Sequence, residues 1–96
     1  MKKQQGYNHN IRYCGVLFHV QTEDYGFEIH KIVTQLFHGG QLIAKKEQDY
    51  QSVLAQENAE EKIIAMMKKQ HKSMLQELTE GMIAFPTNIQ KLLDES

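Results

Sequence analysis

The chain is poor in residues that form covalent or metal cross-links. Its 96 residues include a single cysteine, Cys14, so an intramolecular disulfide and a cysteine-based zinc site are both excluded. None of the five histidines forms an HxH or HxxxH pair. We therefore predict no metal ion and no cofactor. Because Cys14 lacks a neighbouring base, and because no phosphate-binding loop or GxSxG turn is present, we do not predict an enzyme.

The chain also lacks an excess of one charge and any long apolar run. Eleven basic and twelve acidic residues give a formal net charge of −1, so no global basic field favours nucleic acid. No stretch approaches the ~20 apolar residues of a membrane span, and the first residues are polar. We expect a cytoplasmic protein without a membrane partner.

The first predicted element is a two-sided β-hairpin over residues 7–23, with a turn at Cys14-Gly15. This turn pairs Tyr13 with Val16 and Tyr7 with Thr22. Since successive strand side chains point to opposite faces, one face is predicted to seal a core and the other to be polar. The core face holds Tyr7, His9, Ile11, Tyr13, Val16, Phe18, Val20 and Thr22, and the polar face holds Asn8, Asn10, Arg12, Leu17, His19, Gln21 and Glu23.

A second hairpin is predicted from residue 29 to about Lys46, around Gly39-Gly40, since both central positions of a type I′ turn need positive φ. This turn places Phe37 opposite Leu42 and Leu36 opposite Ile43.

The second half is predicted to be helical. Asp49 can cap a short turn, Asn58 and Glu61 form a capping box, and Gly81 ends the long helix. Thr87 can cap a last helical turn. At 100° per residue one stripe of the long helix collects Ile63, Ile64, Met67, His71, Met74, Leu75, Leu78 and Met82.

Together these elements predict an α+β fold, in which a four-stranded antiparallel meander packs on one long C-terminal helix in two layers. We expect a flexible N-terminus over residues 1–6, a single domain over residues 7–82, and a C-terminal tail with a short helix over residues 83–96.

Several strings resemble a small bacterial family of unassigned function. They are NIRY at residues 10–13, FHVQTED at residues 18–24, LFHGG at residues 36–40 and MKKQHKSM at residues 67–74. The resemblance spans roughly residues 9–81 and implies no particular activity.

The polar hairpin face is the first candidate site, with Arg12, His19, Gln21 and Glu23 as ligand-binding residues, joined by Lys45 from the exposed face of the second hairpin. Such side chains can hold a phosphate, a peptide or a nucleotide edge. The alternative interpretation is a solvated sheet face whose polar pairs add little stability.

His71 is the second candidate, because it lies at the centre of the apolar stripe. We expect a core histidine hydrogen-bonded to His9, Tyr7 or Tyr13, since an unpaired buried polar group costs about 1–3 kcal/mol. A tuned general base or a pH switch is the alternative.

These features favour a small non-catalytic protein-interaction module that forms a homodimer or binds another protein. The apolar tail residues Ile89, Leu92 and Leu93 would offer a second adhesive surface. The alternative function is a small-ligand or nucleic-acid binder that uses the polar sheet face with Lys45 and Lys46. A hydrolase built around His19 and Glu23 is a third hypothesis.

Overall fold

The computed structural model describes residues 3–95, which form a four-stranded antiparallel sheet covered on one face by a long helix. The strands lie in the order β1-β2-β3-β4, so the sheet is a meander, and the predicted α+β class is confirmed. The elements are β1 (Tyr7–Tyr13), β2 (Val16–Asp24), β3 (Lys31–His38), β4 (Gln41–Asp49), α1 (Ala59–Thr79) and α2 (Thr87–Asp94), with a short 3₁₀ turn at Gln51–Val53.

The register of the first hairpin is the one predicted from its turn. Tyr13 pairs with Val16, and the ladder continues without interruption to Tyr7 and Thr22. Cys14 and Gly15 have φ angles of 49° and 75°, as a type I′ turn requires. Cys14 therefore occupies a left-handed position that non-glycine residues seldom adopt.

The register of the second hairpin differs from the prediction close to its Gly39-Gly40 turn. Phe37 pairs with Leu42 as expected, but Leu36 pairs with Ala44, so the predicted pairing with Ile43 is wrong. The register shifts between Leu36 and Phe37, because a bulge inserts one extra residue into β4. β4 also continues past Lys46, to Asp49.

The start of α1 differs from the predicted capping box. Asn58 has a φ of 57° and makes no side-chain cap hydrogen bond, whereas a capping side chain requires an extended backbone. The predicted box with Glu61 is therefore wrong. Asp49 does cap the short 3₁₀ turn before α1, as predicted, since its carboxylate accepts a hydrogen bond from the Gln51 backbone N–H at 2.7 Å.

The end of α1 follows the prediction. The Met82 N–H donates to the Glu77 carbonyl at 2.8 Å and the Gly81 N–H to the Leu78 carbonyl at 3.1 Å. With Gly81 at a φ of 70°, this is a Schellman motif. Met82 lies beyond the helix and is 66% exposed, so its predicted place on the apolar stripe is wrong.

The core has two parts along the sheet. Near the hairpin turns, α2 buries Ile89 and Leu93 in a cluster with Phe18, Val20, Leu36, Met74 and Leu78. At the other end, Ile32, Tyr50, Ile63 and Met67 form a second cluster. Two of the three apolar tail residues are thus core residues, and only Leu92 remains available as an adhesive surface. Pro86 precedes α2 and no side chain caps the helix, so the predicted cap at Thr87 is wrong.

Candidate functional site

The outer face of the sheet, opposite α1, carries all five predicted site residues. Register places them in successive rows across the strands. From the hairpin turns downward, the rows are Arg12 and Leu17; then Asn10, His19, Phe37 and Leu42; then Asn8, Gln21, Gln35 and Lys45; and then Glu23, Val33 and Glu47. We call this surface the outer face.

The polar residues of the outer face bond mainly to one another. His19 donates from Nδ1 to the Asn10 Oδ1 at 2.9 Å, which leaves its Nε2 as a hydrogen-bond acceptor. Gln21 donates to Gln35 across the strands at 3.1 Å. Arg12 reaches back to the Gly15 carbonyl of its own turn at 3.4 Å. The His19–Asn10 and Gln21–Gln35 contacts are cross-strand polar pairs, which add little stability.

The cations of the outer face are partly neutralised by Glu47. Its carboxylate lies 2.8 Å from the Lys45 ammonium and 3.6 Å from that of Lys31. The hydrogen bond with Lys45 lowers the pKa of Glu47 below its usual range, and the same bond raises the pKa of Lys45. Lys46 lies on the helix-covered face, where it pairs with Glu77 at 2.5 Å. Its predicted use on the exposed face is therefore wrong.

Apolar side chains collect at the end of the outer face nearest the turns. Leu17 and Leu42 are each 45% exposed. Phe37 pairs with Leu42, and Leu17 lies on β2 one row nearer the turns. We call these three residues the apolar cluster. His38, on the helix-covered face, donates from Nδ1 to the Leu17 carbonyl at 2.8 Å. An open notch of about 380 Å³ lies here, lined by Asn10, Leu17, Phe18, His19, Gln21, Phe37, Gly39 and Gly40.

The notch gathers only two of the predicted site residues. His19 and Gln21 line it, whereas Arg12 bonds to its own turn, and Glu23 and Lys45 lie in lower rows. Sequence reasoning passed over Phe37 and Leu42 as surface residues. The available signal was that both faces of the second hairpin are partly apolar, although only one of them can meet the helix.

On the helix-covered face of the sheet, His71 is a buried histidine with hydrogen bonds at both ring nitrogens, as expected of a core residue. It is 5% exposed, its Nε2 lies 2.8 Å from the His9 Nδ1, and its Nδ1 lies 2.7 Å from the Thr22 hydroxyl. The ring of Tyr7 meets it edge-on at 5.9 Å. Burial lowers the pKa of His71, and the neighbouring His9 lowers it further.

The hydrogen bonds continue from Thr22 into the interior. Thr22 contacts Thr34 at 2.7 Å between hydroxyl oxygens, and the Gln70 amide reaches Thr34 at 3.0 Å. We call the series His9, His71, Thr22, Thr34 and Gln70 the polar chain. Within residues 3–95, no buried side-chain nitrogen or oxygen lacks a hydrogen-bond partner. The buried members of the polar chain therefore offer no vacant group to a ligand, and the outer face remains the candidate binding surface.

Two further findings concern residues 3–95 only. They contain no group of three or more histidine, cysteine, aspartate or glutamate residues placed to hold a metal ion. Neither helix in this range is long and apolar enough to cross a membrane.

Comparison with known protein families, with curated proteins and with solved structures finds no match to this chain.

Proposed function

We propose that this chain is a non-catalytic protein-interaction module that pairs with a second copy of itself through the outer face of its sheet. The observation that carries the proposal is the exposed apolar cluster of Leu17, Phe37 and Leu42 on a sheet whose opposite face packs against the helices. An antiparallel sheet can leave one face to solvent, but that face is then usually polar throughout. An apolar cluster rimmed by polar residues is typical of a contact surface.

The outer face has the dimensions of a dimer interface. Four strands about 4.8 Å apart, each of about eight residues rising about 3.3 Å, give a face of roughly 19 by 26 Å. With side-chain relief included, this approaches the ~800 Å² per partner that a standard interface buries. A second sheet stacked about 10 Å away would therefore cover the apolar cluster.

The arrangement of the rows selects an orientation. The apolar cluster, with Arg12 beside it, lies at one end, and the charged residues Lys31, Lys45 and Glu47 lie toward the other. A two-fold axis parallel to the strands therefore brings apolar cluster onto apolar cluster. Because Glu47 already pairs with both lysines, the charged ends can approach without strong repulsion. The notch beside Leu17 gives room for a leucine of the second copy.

A ligand or nucleic-acid site on the same face is the second candidate. The open notch and the acceptor nitrogen of His19 favour a small ligand with a hydrogen-bond donor. Nucleic acid is less favoured, because Glu47 holds two of the lysines of this face.

Light scattering coupled to size exclusion over a wide concentration range tests the proposal. We expect a mass twice the 11.2 kDa of one chain, and a mass of one chain for Leu42→Lys or Leu17→Lys. Leu92→Lys is the matched control, because Leu92 is similarly exposed at 40% but lies on α2. A single-chain mass at every concentration would contradict the proposal. Salt-dependent binding of mixed RNA or DNA by that single chain would favour the alternative instead.

A further inference from the structure

The orientation of the Gln70 side-chain amide fixes the direction of every hydrogen bond in the polar chain. Its nitrogen lies 3.3 Å from the Ile32 carbonyl, 3.3 Å from the Lys46 carbonyl and 3.0 Å from the Thr34 hydroxyl. Carbonyl oxygens can only accept hydrogen bonds. The amide NH₂ must therefore face all three atoms, since its oxygen would oppose two other oxygens.

The orientation of the Gln70 amide determines where the other hydrogens of the polar chain lie. Thr34 accepts from Gln70, so its own hydroxyl hydrogen is directed to Thr22 at 2.7 Å. Thr22 in turn donates to His71 Nδ1, also at 2.7 Å. Neutral His71 then carries its hydrogen on Nε2 and donates it to His9 Nδ1 at 2.8 Å.

A further proton on either imidazole would disrupt this arrangement of hydrogen-bond donors and acceptors. On His9 Nδ1 it would point at the Nε2–H of His71, so two donors would face each other. On His71 Nδ1 it would reverse the bond to Thr22, so Thr22 would accept from both His71 and Thr34, and its own buried hydroxyl hydrogen would lose its acceptor. The neutral pair therefore fits this site, and the protonated pair leaves at least one donor of the site without an acceptor.

The surroundings add little that could stabilise a charge on the pair. β1 presents Tyr7, and β2 and β3 present Thr22 and Thr34, which are neutral. The only buried carboxylate of this face, within residues 3–95, is Asp24, and it is held by Tyr50 and by two backbone N–H groups. The charged residues nearest along α1 and at the Gln70 end are Lys68, Lys72 and the Lys46–Glu77 pair.

We propose that the His9–His71 hydrogen bond is a pH-sensitive latch, which holds the edge strand β1 against α1 while both imidazoles are neutral and releases it when the pair takes up a proton. His9 is the exposed member, so protons reach the latch from solvent. β1 is an edge strand held on one side by β2 alone, so the contacts of its side chains with α1 restrain the rest of it. The latch is independent of the outer face, which lies on the opposite side of the sheet.

Hydrogen exchange measured between neutral pH and about pH 5 tests the latch. We compare the β1 amides that bond to β2 with amides of β4, the other edge strand, after correction for intrinsic exchange. The expected result is a loss of β1 protection relative to β4 below the ordinary histidine pKa of about 6.5, by up to about tenfold per pH unit for one proton taken up on opening. His71→Gln should flatten this dependence, because a glutamine amide supplies one acceptor and one donor without titrating. His38→Gln should leave it unchanged, because His38 lies in β3 and bonds to the Leu17 carbonyl of β2, away from β1.

Nitrogen-15 shifts of the histidine rings give a second measurement that needs no substitution. They should place the His71 hydrogen on Nε2 at neutral pH, and the midpoint of the His9–His71 titration should coincide with the loss of β1 protection. An Nδ1–H tautomer of His71 at neutral pH, an unchanged ratio of β1 to β4 protection, or an unaltered pH dependence in His71→Gln would each overturn the proposal.

Discussion

Tyr50 donates its phenol hydrogen to the Asp24 Oδ1 across 2.5 Å, inside the lower part of the core, and both residues are fully buried. The same carboxylate accepts backbone hydrogen bonds from Gly26 at 2.9 Å and from Gln4 at 2.8 Å. Asp24 thus joins three separate segments: the chain before β1, the loop after β2 and the residue that follows β4. Residue Gln4, within the N-terminus predicted to be flexible, is therefore tied to the end of β2.

We predict that Tyr50→Phe lowers the free energy of unfolding by about 1.5–3 kcal/mol, the usual contribution of a hydrogen bond to a charged group. The ring still fills its place in the core, but Asp24 loses its shortest hydrogen bond. Urea denaturation at neutral pH measures the effect. Tyr25→Phe is the matched control, since Tyr25 is 37% exposed, and an equal loss in both variants would contradict the interpretation.

The same phenol predicts a loss of stability in alkali. Burial raises the pKa of Tyr50 far above its usual range, and the hydrogen bond to Asp24 raises it further. Because the folded state resists ionisation, the stability from this group is present below the unfolded pKa of about 10 and falls as the pH rises above it. Unfolding free energies measured on both sides of pH ~10 should show this decrease. In Tyr50→Phe the decrease should be smaller, and an identical alkaline slope would argue against the assignment.

The place of α2 in the core predicts that Ile89→Ala destabilises the protein by about 2–5 kcal/mol, as for other buried aliphatic truncations. Ile89 is 1% exposed and packs in the cluster with Phe18 and Leu36. Leu92→Ala, three residues away and 40% exposed, should change stability by less than about 0.5 kcal/mol. Thermal and urea unfolding of the two variants give the comparison. Equal effects would mean that α2 does not contribute to the core in solution.

Close packing at Gly6 predicts that Gly6→Ala disturbs the N-terminal segment. A Cβ there would lie 2.5 Å from the Thr22 carbonyl oxygen, which is backbone and cannot turn away. We expect a loss of about 1–3 kcal/mol, and NMR shift changes at Gln4, Thr22 and Asp24. Gln5→Ala is the control, because Gln5 is exposed. Unchanged shifts at these positions in Gly6→Ala would contradict the close approach.

The two hairpins show how far a local pattern determines structure. In the first hairpin one face is apolar and the other polar, so a shift of one residue would expose the apolar face, and the pattern together with Cys14-Gly15 predicts the register. In the second hairpin both faces are partly apolar, so a pairing through Ile43 satisfies the pattern as well as the observed pairing of Leu36 with Ala44. The bulge that decides between them depends on packing against α1 and α2, which the strand sequence does not record.

The buried polar groups were partly predictable. His71 was expected in the core with His9 as a partner, since both followed from the helical stripe and the hairpin face. Gln70 was missed, although it lies three residues after Met67 and four before Met74, on the same side of the helix. The predicted first hairpin ends at residue 23 and so leaves out Asp24, although Asp24 shares the strand parity of Thr22. Sequence spacing could not predict the contacts of the Gln70 amide with the Ile32 and Lys46 carbonyls. These carbonyls belong to neighbouring strands, which meet only in the folded sheet.

Thr22 and Thr34 face each other across β2 and β3, directly above Gln70 and His71 on the helix. If β2 slid by one residue along β3, one of these hydroxyls would turn to the outer face and a buried amide or imidazole would lose its partner. Each such loss costs about 1–3 kcal/mol, in addition to the cost of exposing the apolar side chains of the same strand. The two threonines therefore help to fix the register of β2 against β3, because a pairing shifted by one residue would leave buried polar groups without partners.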